Sequence, residues 1–95
     1  MFDWNDLRHF LAVARQGSTI AAAKALRLSQ STVHRRLSEL EARIGRRIVI
    51  RHATGYRLTE FGSGLLPLVK QVEEAIAALE RHLVAANAHR PVRSA

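Results

Sequence analysis

Apolar residues recur at helical spacing in three long stretches of this chain, and two short β-prone runs lie between the second and the third. Leu7, Phe10, Leu11 and Ala14 stand at i, i+3, i+4 and i+7, which predicts a helix over 4–15, capped by Asp3 and ended by Gly17. Ser18 then caps a short second helix over about 19–26, whose Ala21-Ala22-Ala23 run lets a neighbouring helix approach closely. Leu26-Arg27-Leu28 is a brief connection, with Leu28 as the plug beneath the turn. A helix from residue 30 to about 44 follows, with Ser29 as N-cap and Gly45 at its far end. At about 100° per residue, Val33, Leu37, Leu40 and Ile44 form one stripe of it. Ser31, Arg35, Ser38 and Ala42 fall on the opposite side, flanked by His34 and Glu39. Two helices joined by a three- or four-residue turn, the second with a polar outer face, make a helix-turn-helix pattern.

After Gly45 the period changes. Ile48-Val49-Ile50 within 46–51 and Tyr56-Arg57-Leu58 flank His52-Ala53-Thr54-Gly55, and read as a hairpin with Arg51, His52 and Arg57 on or near its tip. Such a basic hairpin is either a wing beside the polar helix or an ordinary edge that covers the core. Thr59 caps a last, long helix running to the high eighties. In it Leu65, Val69, Val72, Ile76, Leu79 and Leu83 alternate in steps of four and three, with Glu73, Glu80 and Arg81 alongside. A stripe of this length exceeds what one small domain needs, so it predicts pairing with the same helix of a second chain. Packing on a further C-terminal region is the other reading. Pro67 is expected to kink the first turns or to delay the regular helix until after it. The tail from Asn87, with Pro91, reads as the start of a linker.

Composition narrows the function classes. Ninety-five residues with 47% apolar character suit one small folded domain with an appended helix. There is no cysteine, which removes disulfides and thiolate metal sites. Asp3 and Asp6 near the start and the lack of a long apolar run argue against a signal peptide, and no segment is long enough to span a bilayer. A cytoplasmic protein without a membrane partner is expected. The net charge of +7 is unevenly placed. Residues 1–34 carry four Lys/Arg and two acids, residues 35–57 seven Arg and two Glu, and residues 58–95 four of each sign. A basic stretch confined to the polar helix and the hairpin is the footprint of a polyanion binder rather than a general solubility device.

Catalysis finds little support. His9, His34, His52, His82 and His89 are scattered without metal-ligand spacing, and no glycine-rich phosphate loop or paired-carboxylate site occurs. No catalytic residue, metal or cofactor is expected. A protein-pairing module whose basic patch is incidental remains the alternative, and sequence-blind DNA coating is a further one.

Taken in order, Leu7 with Phe10, Val13-Ala14, Gly17-Ser18, Ala22-Ala23, Leu26, Ser29-Gln30, Arg35, Leu40-Glu41, Gly45, Arg51, Leu58-Thr59 and Gly62 resemble the N-terminal DNA-binding region of LysR-type transcriptional regulators. The resemblance implies a mainly α fold, a winged helix-turn-helix of three helices and a hairpin followed by a long dimerisation linker helix. It divides the chain into a DNA-binding unit over 1–58, a linker helix over 59–89 and the start of a hinge over 90–95. It also implies a further effector-binding domain outside these residues, which makes the chain a fragment. The implied partners are double-stranded DNA and a second copy, with tetramers and a small-molecule effector depending on the absent portion, in the cytoplasm at the nucleoid. Three positions depart from the family pattern: Ser31 stands where proline is common, His34 where a small hydroxyl residue is usual, and Ile48-Val49 where Leu-Phe is usual.

Candidate contacts follow from side-chain chemistry. Arg35, opposite the core stripe, can donate twice to guanine O6 and N7. Gln30 can pair with adenine or reach a phosphate. Ser31, Thr32 and His34 are first-turn contacts to bases or backbone, or else capping and solvated surface. Ser18 and Thr19 can place backbone N–H groups on a phosphate. Arg51, His52 and Arg57 suit phosphate contact from the hairpin. Arg36 is expected to pair with Glu39 along the helix surface.

Overall fold

The computed structural model describes residues 2–53 and 55–88. Helices α1 (Trp4–Gln16), α2 (Thr19–Leu26) and α3 (Gln30–Ile44) are followed by strands β1 (Val49–His52) and β2 (Gly55–Leu58) and by helix α4 (Glu60–Ala88). The molecule measures 58 × 26 × 21 Å, because α4 extends far past the body. Among the described residues no helix is long and apolar enough to cross a membrane. The predicted hinge at 90–95, together with His89, lies outside the described residues.

Local chemistry sets the helix boundaries. Asp3 and Asp6 form a reciprocal capping box at the start of α1, where the Asp6 N–H donates to Asp3 Oδ1 at 3.1 Å and the Asp3 N–H to Asp6 Oδ2 at 3.2 Å. Ser18 Oγ accepts the Ala21 N–H and Ser29 Oγ the Thr32 N–H, both at 3.1 Å, as N-caps do. Thr59 Oγ1 accepts the Gly62 N–H at 2.9 Å and donates to the Arg47 carbonyl at 2.8 Å, tying the start of α4 to the segment before β1.

The apolar stripes meet in one core. Phe10, Leu11 and Val13 of α1 pack with Ala22 and Ala23, with Val33, Leu37 and Leu40, and with Ile48, Val49 and Val69. Each large side chain buried this way contributes about 1.5–3 kcal/mol. Leu28 and Ile44 close the core from the side. Glu41 accepts the N–H groups of Ile48 at 2.8 Å and Val49 at 3.3 Å, which holds the chain as it turns from α3 into the hairpin.

Three expectations need correction. The helix is not delayed by Pro67: α4 runs continuously from Glu60 through it. The proline removes one N–H near an exposed stretch, where water can satisfy the carbonyl left over. Val69, assigned to the pairing seam, is 4% exposed in the domain's own core, and Leu65 packs against that core. The outward part of the stripe therefore begins at Val72. Arg36 makes no ion pair with Glu39, whose partners are Arg35 at 3.9 Å and Arg43 at 3.8 Å, four residues away on either side. The Arg36 side chain turns instead toward α1, lining a small cavity with Asn5, Arg8 and His9.

Candidate nucleic-acid interface

The antiparallel hairpin pairs Val49 with Leu58, Ile50 with Arg57, Arg51 with Tyr56 and His52 with Gly55. Successive side chains in a strand face opposite ways, so Arg51 and Tyr56 share one face, Ile50 and Arg57 the other. Two bonds from one residue dock the inner face onto the helices. The Tyr56 N–H donates to the carbonyl of Gly17 at 2.9 Å, and the Tyr56 hydroxyl hydrogen-bonds His34 Nδ1, with the two rings tilted at 53° and 5.6 Å apart. Gly55 permits the approach: a Cβ there would collide with the Gly17 carbonyl oxygen, and its φ is 146°. Gly62 serves the same end below, where α4 passes against the Ile48 carbonyl.

This docking creates a concavity of about 230 Å³ between the start of α2, the start of α3 and the hairpin. Six of the ten residues singled out from sequence line it, namely Ser18, Thr19, Gln30, His34, Arg51 and His52. Ile20, Ala53 and Gly55 complete the wall, and no acidic residue takes part. Two helix N-termini open here, and neither α2 nor α3 has an acid in its first turn, whereas α1 has Asp6 and α4 has Glu60. The partial positive charge of both helix ends is thus left for an outside anion.

Burial of the His34 ring, and next the nearby Arg51 guanidinium, lower its pKa from the usual 6.5, so the imidazole is neutral at pH 7. The hydrogen bond between Nδ1 of the neutral ring and the Tyr56 hydroxyl keeps the imidazole in place between helix and hairpin.

The remaining candidates lie outside the concavity. Ser31 and Arg35 are exposed on the outward ridge of α3 with Ser38 and Ala42, and the Arg35 side chain is 63% accessible. Its 3.9 Å contact with Glu39 is too long and too solvated to hold it. Thr32 is half-buried and shares a 2.9 Å hydroxyl contact with Ser29, so it is engaged in capping. Arg57 is exposed on the outer hairpin face beside Ile50, away from α3.

Several residues of this surface escaped the sequence reading. Tyr56 positions the hairpin, Ile20 stands 57% exposed in the concavity, and Arg46 stacks its guanidinium 4.5 Å from the Phe61 ring centre. The lone tyrosine of the chain and an isoleucine off the alanine stripe of α2 were the signals available.

Residues 4–63 match the family model described as bacterial regulatory helix-turn-helix protein, lysR family. The chain belongs to that family. Among relatives of this lysR-family domain, it is 44% identical over 66 residues to the HTH-type transcriptional regulator GalR of Pseudomonas putida, covering 70% of this chain and 17% of that protein. It is 40% identical over 81 residues to the regulator ArgP of Pseudomonas aeruginosa, covering 85% of this chain and 27% of the other. The domain thus spans about a quarter or less of these relatives. Among solved structures, the CbnR DNA-binding domain in complex with DNA superposes with a TM-score of 0.82 at 31% identity, covering 90% of this chain and 99% of that one. Full-length LysG of Corynebacterium glutamicum with bound effector Arg gives 0.83 at 27% identity, covering 96% and 31%. The fold is therefore a winged helix-turn-helix followed by a long helix, the hairpin being the wing.

Proposed function

We propose that the domain binds double-stranded DNA with sequence preference, as the reading head of a bacterial transcriptional regulator. The exposed ridge of α3, centred on Arg35, enters the major groove. The concavity beside it receives the sugar-phosphate backbone against Ser18, Thr19, Arg51 and His52, with Gln30 at the start of α3 serving the adjoining base edges, and the wing extends the backbone contact through Arg57. The observation that carries this reading is the convergence of two uncompensated helix N-termini and basic wing residues on one acid-free hollow beside an exposed guanidinium. The likeness to a domain whose structure is described as a DNA complex supports it.

In this proposal residues 1–58 read DNA, 59–89 pair two chains and 90–95 begin the hinge to an effector-sensing region. Pairing uses the outward stripe of α4, where Val72, Leu79 and Leu83 are 40%, 57% and 51% exposed, continued by Ile76. The full protein works in the cytoplasm at the nucleoid, and the domain has no catalytic, metal or cofactor role. A helix-pairing module with an incidental basic patch would account for α4 but leaves the acid-free hollow without a purpose.

Selection of bound duplexes from a random pool, at stated salt, tests the proposal. A recovered consensus, with affinity falling steeply as salt rises, is the expected result. Recovery of no consensus sinks sequence reading, and salt-independent association sinks DNA binding altogether.

A further inference from the structure

Ile20 is the most exposed large apolar side chain of the body, at 57%. The other exposed ones have an evident setting. Phe2 joins the apolar groove against α4, Ile50 lies on the outer face of the wing, and Leu68, Val72, Leu79, Leu83 and Val84 belong to α4. Ile20 is the one large apolar side chain in a hollow walled otherwise by hydroxyl, amide, imidazole and guanidinium groups and by the small residues Ala53 and Gly55. An isoleucine held open in such a hollow gives an apolar feature of a bound partner a surface to cover, and covering it is favourable.

The DNA major groove offers one such feature. Its edge is a row of hydrogen-bond donors and acceptors, interrupted by the 5-methyl group of thymine. We propose that Ile20 reads that methyl group and so sets a preference for thymine at one position of the site. The inference rests on the DNA-binding reading above. Ile20 follows directly on Ser18 and Thr19, which face the backbone in that reading, and shares the hollow with Gln30 at the start of α3. The Gln30 amide suits adenine, so the pair together favours adjacent A·T base pairs.

Deoxyuridine isolates the contact, since it lacks the methyl group and keeps every other group of thymine. With a duplex selected from a random pool, replacing thymines one at a time is expected to weaken the wild-type domain about fourfold at one position, the effect of one buried methyl-sized group. Ile20→Ser should bind the thymine duplex about fourfold more weakly and be indifferent to the replacement at that position. Ile20→Val should keep most of the sensitivity. The site is exposed, and an unchanged circular dichroism spectrum confirms that both variants fold.

A wild-type domain that prefers the selected duplex yet tolerates every replacement overturns the proposal while leaving DNA binding standing. Equal losses for Ile20→Ser on thymine and deoxyuridine duplexes also overturn it, because they point to a sequence-blind contact with deoxyribose. Failure to select any duplex removes the DNA-binding reading and this inference with it.

Discussion

The hydroxyl of Tyr56, on the second strand of the wing, hydrogen-bonds Nδ1 of His34, on the exposed helix of the helix-turn-helix. The backbone of the same tyrosine is held by Gly17, so one residue fixes the wing to two helices. Wing and reading helix consequently present their side chains at a set separation before any partner arrives, which spares the ordering cost of a loose hairpin.

Tyr56→Phe keeps the ring and removes the hydroxyl. The expected cost is about 1–2 kcal/mol of stability, since the His34 nitrogen loses its partner while partly buried. Chemical denaturation measures it. An unchanged midpoint would mean that the hydroxyl bond contributes nothing in solution.

His34 also predicts a pH dependence. Its pKa in the folded state lies below the usual value, so the unfolded chain binds more protons between the two. The contribution of the neutral ring is present above about pH 6.5 and is lost as pH falls toward the lowered folded value. Thermal melts from pH 7.5 to 5 should show His34→Gln losing less stability on acidification than the wild type. For DNA the sign reverses, because phosphates beside the ring favour its protonated form. Affinity should rise as pH falls into the range where the ring takes up a proton, and His34→Gln should flatten that rise.

Arg35 and Arg51 should fail differently. Arg35→Ala is expected to cost about 1–3 kcal/mol on the preferred duplex and to relax sequence preference. Arg51→Ala should weaken all duplexes alike and reduce the salt slope by about one. Titration against specific and scrambled duplexes distinguishes them, and equal losses on both DNAs for Arg35→Ala would remove its assignment to a base.

Gly55→Ala tests the docking of the wing. The added Cβ meets the Gly17 carbonyl, and the φ of 146° is one that only glycine adopts with ease. A loss of about 2 kcal/mol or more is expected, with the wing displaced. A stable variant with wild-type amide chemical shifts in the hairpin would contradict the close approach.

Asp6 is nearly inaccessible, yet it receives the Arg43 guanidinium at 2.8 Å as well as the Asp3 N–H. Arg43→Met leaves the carboxylate without its cation and should destabilise the domain by about 1–3 kcal/mol. Asp6→Asn with Arg43→Met should be less harmful than the sum of the single changes, as a double-mutant cycle would show. Strict additivity would mean that the two groups do not interact.

The sequence by itself determined the helices, their caps and their faces. Those features depend on spacing within three or four residues, so Val33, Leu37 and Leu40 had to turn inward and Arg35 outward. The turn around Gly55 and the β-prone runs beside it marked the hairpin for the same local reason, while whether it is a wing or a core-covering edge stayed open. Tertiary structure decided what meets across the fold. Tyr56 and His34 are 22 residues apart, Arg43 and Asp6 37, and Arg15 reaches Glu73 of α4 across 58 with a bidentate bond of 2.5 and 2.8 Å. No periodicity encodes such pairs, because they follow from how α1, α3, α4 and the wing settle against one another. The same packing drew Val69 into the core and left Ile20 facing outward, since only the assembled body decides where an apolar stripe stops being covered.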